Sequence, residues 1–321
     1  MQAGHLTAAG PRGFTFMELV VVITVLGIVS VAIGKFIVPA ITAQQDVERR
    51  AALVDAAESA LRRMSRDIRV ALPNSLRITN VIAGGGSGFA IEMIPTVDGA
   101  RYCTAGVANC STGDVLTIAV ADGIFDVLGC FRHSFVTGTA TSAFRLVINH
   151  TGTAVYTATT SASVLTPVQS ITPSLFPNTP AGTATCGNAS STADSYNRHR
   201  LTLTSNQTFP TASPRQRLFV VQDAAAPVTY LCNYTANTLT RYEGYKVGAA
   251  FGAASQPNDA GAAPLSTATL RGRVADNVAF CSVTSTEAQV QGTSVVTIVL
   301  RLTSSGETIE LMNQVQLDNS P

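Results

Sequence analysis

The chain has 321 residues, a formal net charge of +1 and 13% charged residues, about half the usual share. That balance gives no electrostatic case for binding nucleic acid, and it leaves Ser, Thr, Asn and Gln to cover much of the surface. The length suffices for one or two domains with a sizeable core.

Residues Met1 to Gly13 are polar or small, with Arg12 their sole Lys or Arg. The run Gly13-Phe14-Thr15-Phe16-Met17-Glu18 leads into sixteen uncharged residues, Leu19 to Gly34. Leu19 to Val38 carries one charge, Lys35. A helix of that length rises about 30 Å, the thickness of the hydrocarbon core, and Lys35 near its end can snorkel to the interface. A secretory signal places its small-residue cut after the apolar stretch; here the candidate cut precedes it. Glu18 is the costly residue. A carboxylate in a membrane costs about 2–4 kcal/mol or more unless it is paired or interfacial, so a partner cation is expected.

These residues resemble the class III signal of type IV prepilins: glycine before the cut, phenylalanine after it, and glutamate fifth in the mature chain. The resemblance implies cleavage by a membrane prepilin peptidase between Gly13 and Phe14, N-methylation of Phe14, and a role for Glu18 in assembly. It makes residues 1–13 a leader, 14–38 a transmembrane and assembly helix, and 74–321 a periplasmic head. Arg49, Arg50, Arg62, Arg63, Arg66 and Arg69 crowd the downstream side, and by charge alone would favour a cytoplasmic head. The cysteines and the resemblance favour the periplasm.

After Pro39, which is expected to kink the helix or divide it, Val47, Ala51, Val54, Leu61, Met64, Ile68 and Leu72 recur at helical spacing. Glu58 with Arg62 and Arg63 with Asp67 stand at i,i+4 on the exposed side. Pro73 and Asn74 are expected to end this amphipathic helix, 39–73. The arginines read as a solvated or docking face.

From Leu76 the chain reads as strands: 77–82, 89–94, 114–120, 144–149, 200–204, 217–221 and 228–232, short runs rich in β-branched and aromatic residues. A hairpin is expected over Val228 to Tyr242, turning near Thr235-Ala236-Asn237. Val274 to Val283, Ser294 to Thr303 and Thr308 to Leu317 are the last strands. The expected class is α+β, with a long N-terminal helix packed on a C-terminal antiparallel sheet domain. Residues 151–195, rich in Thr, Ser and Pro, and 248–264, rich in Ala and Gly, read as long surface loops.

Six cysteines, at 103, 110, 130, 186, 232 and 281, include no Cys-x-x-Cys and have no nearby His pair, which argues against zinc. An even count behind a membrane anchor points to disulfides in an oxidising compartment. Six cysteines allow fifteen full pairings. Cys103 with Cys110 is the local choice, with Gly106 and Asn109 to turn the chain; Cys232 with Cys281 is a further reading, which leaves Cys130 with Cys186.

Signs of catalysis are missing from the sequence. The run Gly84 to Gly88 lies between strand-like segments with no following helix, which is the wrong context for a phosphate loop. No Gly-x-Ser-x-Gly elbow occurs. His5, His133, His150 and His199 are scattered, and Asp122 and Asp126 lack the ligand spacing of a calcium loop. No enzyme activity, cofactor, metal or nucleic-acid partner is expected.

The segments Pro227 to Cys232, Leu239 to Tyr242, Val274 to Cys281 and Gln314 to Pro321 are similar to MshO-type minor pilins of the mannose-sensitive haemagglutinin (MSHA) pilus. Ala60 to Ile68 resembles the J-type minor pseudopilins. The Thr-rich middle departs from these patterns. The resemblance implies a low-copy pilin in the bacterial inner membrane. Its partners would be the prepilin peptidase, other minor and major pilins and the inner-membrane assembly platform, and it would initiate or cap a pilus. A minor pseudopilin of type II secretion and a tip adhesin are the alternatives.

Overall fold

The computed structural model describes residues 13–106, 110, 114–133, 144–152, 154–157, 166–174, 198–223, 227–245, 253, 255–288 and 293–318. Residues up to Ala52 form one compact unit and those from Leu53 a second. Helix α1 (Phe16–Arg69) is a single element of 54 residues. It runs through Pro39, so the expected division there is not an element boundary: proline removes one N–H from the ladder, a small loss in a cooperative helix of this length. The helix also stops short of Pro73. Leu72 N–H donates to Ile94 O (2.7 Å) and Thr96 N–H to Val70 O (2.8 Å), so the chain after Arg69 is captured by a neighbouring strand segment before the proline is reached.

The strands that follow are β1 (Arg77–Val81), β2 (Ser87–Met93), β3 (Thr96–Tyr102), β4 (Ala121–Leu128) and β5 (Phe144–Ile148). A short helix, α2 (Ala154–Thr157), precedes β6 (Thr166–Ser174), β7 (Arg198–Thr208), β8 (Arg217–Gln222), β9 (Val228–Asn233) and β10 (Thr238–Glu243). The last four are β11 (Leu270–Asp276), β12 (Val278–Ala288), β13 (Thr293–Ser304) and β14 (Glu307–Asp318). The α+β class stands. The β part is three assemblies rather than one sheet: a five-stranded sheet in the order β1-β2-β9-β10-β11, a three-stranded sheet β12-β13-β14, and a closed barrel β3-β4-β7-β6-β5-β8.

Period-two alternation builds the main core. Phe89, Ile91 and Met93 of β2, Val228, Tyr230 and Cys232 of β9, and Val296, Ile298, Leu300 and Leu302 of β13 face Ala57, Leu61, Met64 and Ile68 of α1. Met64 and Ile68 are fully buried, each contributing roughly 1.5–3 kcal/mol. The other face of the five-stranded sheet is also covered. Tyr245, Leu265 and Ala268 pack on Ile82, Ala90 and Leu231, and Gln256 Nε2 donates to Ala90 O (2.8 Å). The region read as a loop at 248–264 is thus bordered by core residues and, where described, is tied to the sheet.

The barrel is filled by its own cluster, including Tyr102, Phe125, Leu146, Leu201, Leu218 and Val220. Its strands lie between β2 and β9, which pair directly with each other, Met93 opposite Val228. The stretch read as a loop at 151–195 holds α2, whose Val155 and Tyr156 are buried, and barrel strand β6. Beyond these and residues 151–152, the stretch lies outside the described residues. The run 114–120, expected as a strand, is instead irregular and leads into β4.

Val274 to Val283, expected as one strand, is two. Asn277, at φ 60°, ends β11 in the five-stranded sheet and lets β12 start the three-stranded one. Asn tolerates this left-handed geometry better than branched residues do. Asn277→Val should cost about 1–2 kcal/mol, whereas Asn277→Gly should be near neutral. Denaturant midpoints of the two variants check this; equal losses would show that the side chain, not the dihedral, matters.

Candidate functional site

The first feature is the start of α1. Gly13, Phe14 and Thr15 precede the helix and are exposed. Glu18 N–H donates to Thr15 Oγ1 (3.3 Å), so Thr15 is the N-cap and Glu18 lies in the first turn. A carboxylate there also faces the positive end of the helix dipole. The pattern Thr15-x-x-Glu18 is that of a capping box, a signal carried by the sequence itself. Phe16, Leu19, Ile23, Leu26 and Ile33 are among many large apolar residues left exposed beyond it. Thr24 Oγ1 donates to Val20 O (3.0 Å) and Val21 O (2.8 Å), which leaves its hydroxyl satisfied within the helix. α1 is the one helix among the described residues long and apolar enough to cross a membrane. The leader up to Arg12 lies outside the described residues.

The second feature is a groove of about 710 Å³ between the exposed side of α1 and β10, lined by Asp55, Glu58, Ser59, Arg62, Arg63, Arg66, Asp67, Arg241 and Glu243. Arg241 ties its two walls together. Its Nε donates to Asp67 Oδ2 (2.8 Å), its Nη1 pairs with Glu243, and Tyr230 OH donates to the same Asp67 oxygen (2.7 Å). Arg62 pairs with Glu58 along the helix. The helical charges were legible in the sequence; Arg241 and Glu243, from a distant strand, were not.

Two disulfides differ in reach. Cys103 is bonded to Cys110, and Cys232 to Cys281, the latter joining β9 to β12 across the main core. Cys130 is also disulfide-bonded. Cys186 lies outside the described residues.

Several titratable groups of the second unit are buried or paired within it. Glu92 is buried on β2, where Arg77 Nε donates to its Oε2 (2.8 Å) and Tyr245 OH to its Oε1 (2.9 Å). The Arg77 guanidinium also lies 3.7 Å from the centre of the Tyr156 ring. Burial pushes the Glu92 carboxyl up to about 7 against the pull of Arg77. Burial lowers His150 to about 4, and its Nε2 has no hydrogen-bond partner among the described residues. His199 stacks on Phe131 and accepts its N–H at Nδ1 (3.1 Å). Asp126 is buried against Arg198 and Arg200, while Asp122 caps a turn by accepting Thr117 N–H (2.8 Å). Among the described residues no cluster of three His, Cys, Asp or Glu side chains could hold a metal. The glycine run turns the chain from β1 to β2: a side chain at Gly88 would collide with Cys232 O, so the run serves close packing on β9.

Comparison with protein families, curated proteins and solved structures gives no match for this chain.

Proposed function

We propose that the chain is a minor pilin: a single-pass subunit of the bacterial inner membrane with a periplasmic head, which joins other pilins at an assembly platform and initiates or caps an MSHA-type type IV pilus. One observation carries this reading. A non-helical Gly13-Phe14 bond is followed at once by a capped helix with an uncovered apolar surface, and the only carboxylate of that surface, Glu18, sits in its first turn. Prepilin peptidase cleaves after Gly13 and Phe14 becomes the methylated amino terminus. The new amine then lies one helical turn from Glu18, and pairing with the amine of a neighbouring subunit offsets the cost of the carboxylate in the membrane. The Cys103–Cys110 and Cys232–Cys281 bonds fit an oxidising compartment.

Glu18→Gln tests the proposal. Membrane insertion and the mature amino terminus should stay as in the wild type, read by mass spectrometry of the purified protein. Co-purification with partner pilins should fall at least roughly tenfold, the effect of losing a poorly solvated ion pair. Wild-type incorporation of the Gln variant, or a chain that keeps Met1 to Gly13 in the assembled state, defeats it.

A further inference from the structure

Residues 255–268 lie over the outer face of the five-stranded sheet as a strap. Its underside is apolar: Leu265 is fully buried and packs with Ala268 on Ile82, Ala90, Leu231 and Tyr242. Near its start, Gln256 Nε2 donates to Arg77 O (3.1 Å) and Ala90 O (2.8 Å), and Asn258 Nδ2 donates to Val81 O (3.0 Å). At its neck the Thr269 hydroxyl donates to Gly244 O (3.2 Å). Gly244 takes φ +71°, a left-handed conformation that favours glycine. Both ends of the strap meet a buried ionic junction. Arg77 Nη1 donates to Ala253 O (3.1 Å) just ahead of the strap, and Arg77 pairs with Glu92. Tyr245, beside the neck, bonds through its hydroxyl to Glu92 and Thr229. Arg77, Tyr245 and Tyr156 are the charged or titratable groups that face Glu92, from β1, the neck and α2, and Thr229 of β9 stands opposite it.

We propose that the strap is a hinged cover that opens about the Gly244–Thr269 neck, with the Arg77–Glu92–Tyr245 junction as its latch and loss of the Glu92 proton as the event that releases it. The proposal is independent of the pilin assignment. Opening brings water to a carboxyl that is wholly buried while the strap is closed. Closed, Glu92 keeps its proton up to about 7; an ordinary carboxyl loses it near 4.5. The open state therefore binds fewer protons between these values. Opening is favoured as pH rises through them and gains nothing further above 7. Arg77 does not reverse this sign, because withdrawing an ion pair from water can cost more than the attraction between its members returns.

The test is hydrogen exchange read by mass spectrometry on the full chain in detergent, at pH 5 and pH 8, with intrinsic exchange rates divided out so that protection reports opening. The informative amides are Ala83, which donates to Asn258 O, and Ser266 to Ala268, whose single turn is too short to persist undocked. Their opening equilibrium should be about 70-fold larger at pH 8 than at pH 5, the ratio set by a carboxyl that ionises near 7 when closed and near 4.5 when open. Amides of β13 open with the whole head, where His150 titrates in the opposite sense, and should change by no more than about fivefold. Glu92→Gln should abolish the pH ratio of the strap. Gln256→Ala, which removes a tether but not the carboxyl, should raise strap exchange at both pH values with the ratio kept. Strap amides that exchange no faster than those of β13, a wild-type ratio near one, or the wild-type ratio retained in Glu92→Gln overturns the inference. The first two outcomes are read on the wild type, so they decide the matter even where the Gln variant fails to fold.

Discussion

Replacing Cys232 and Cys281 together by alanine should lower the stability of the folded chain by about 4 kcal/mol, the chain-entropy value for closing a loop of 49 residues. The same change at Cys103 and Cys110, seven positions apart, should cost about 2.5 kcal/mol. The two bonds also differ in what they hold. Cys232 and Cys281 are both in the main core and fix β9 of one sheet to β12 of another, so their loss frees two sheets to slide. The short loop constrains only its own turn. For a head of this size the melting temperature should fall by roughly 2–4 °C per kcal/mol, so the long-range variant should melt about 8–16 °C lower. Equal melting of the two variants would show that packing on α1, not the cross-link, sets the relation between the sheets.

The second large effect is hidden in the wild type. Glu92 ionises at about 7 in the folded chain against an ordinary 4.5. The unfolded chain therefore gives up this proton first, and stability falls as pH rises from 4.5 to 7, by about 3 kcal/mol. His150 behaves in the opposite sense. Its folded value of about 4 against 6.5 means that the unfolded chain takes up a proton first as pH falls. Stability is then complete above 6.5 and lost toward 4, again by about 3 kcal/mol. Over pH 4.5–6.5 the two slopes cancel. Glu92→Gln should unmask a steep loss of stability below 6.5, and His150→Gln a loss above 4.5. Urea midpoints between pH 4 and 8 measure both; unchanged slopes in the two variants would show that other groups govern the titration.

The parts of the fold that sequence reading recovers are those where alternation runs unbroken. β13 and β14 pair through twelve residues each without a bulge, and β9 and β10 turn at residues 234–237, where Asn237 takes a left-handed conformation. The barrel hides because closure bends its strands. Register shifts between Thr96 and Asp98, between Asp122 and Ile124, and between Val168 and Ser170 each break the period of two. Val168 and Ile171 are three residues apart and yet both fill the barrel. Glu18 stands out in sequence because a charge interrupts an apolar tract, and Thr15 does not because its role lies in one backbone hydrogen bond. The groove charges are visible on the helix, but the wall that makes them a groove comes from β10, which only tertiary structure brings near.

The pairing of Met93 with Val228 joins positions 135 apart in sequence, a separation that makes for slow folding when the intervening chain is unordered. Thr96 of β3 and Val221 of β8 are themselves paired. Once the barrel has closed, the two halves of the long hairpin are delivered to within a few residues of each other, and the entropy of bringing them together has already been spent. The middle of the chain is thus expected to act as a clasp during folding, with the pairing of β2 and β9 following closure of the barrel. Slowing barrel closure should delay burial of Tyr230 and Met64 equally, although neither residue touches the barrel cluster.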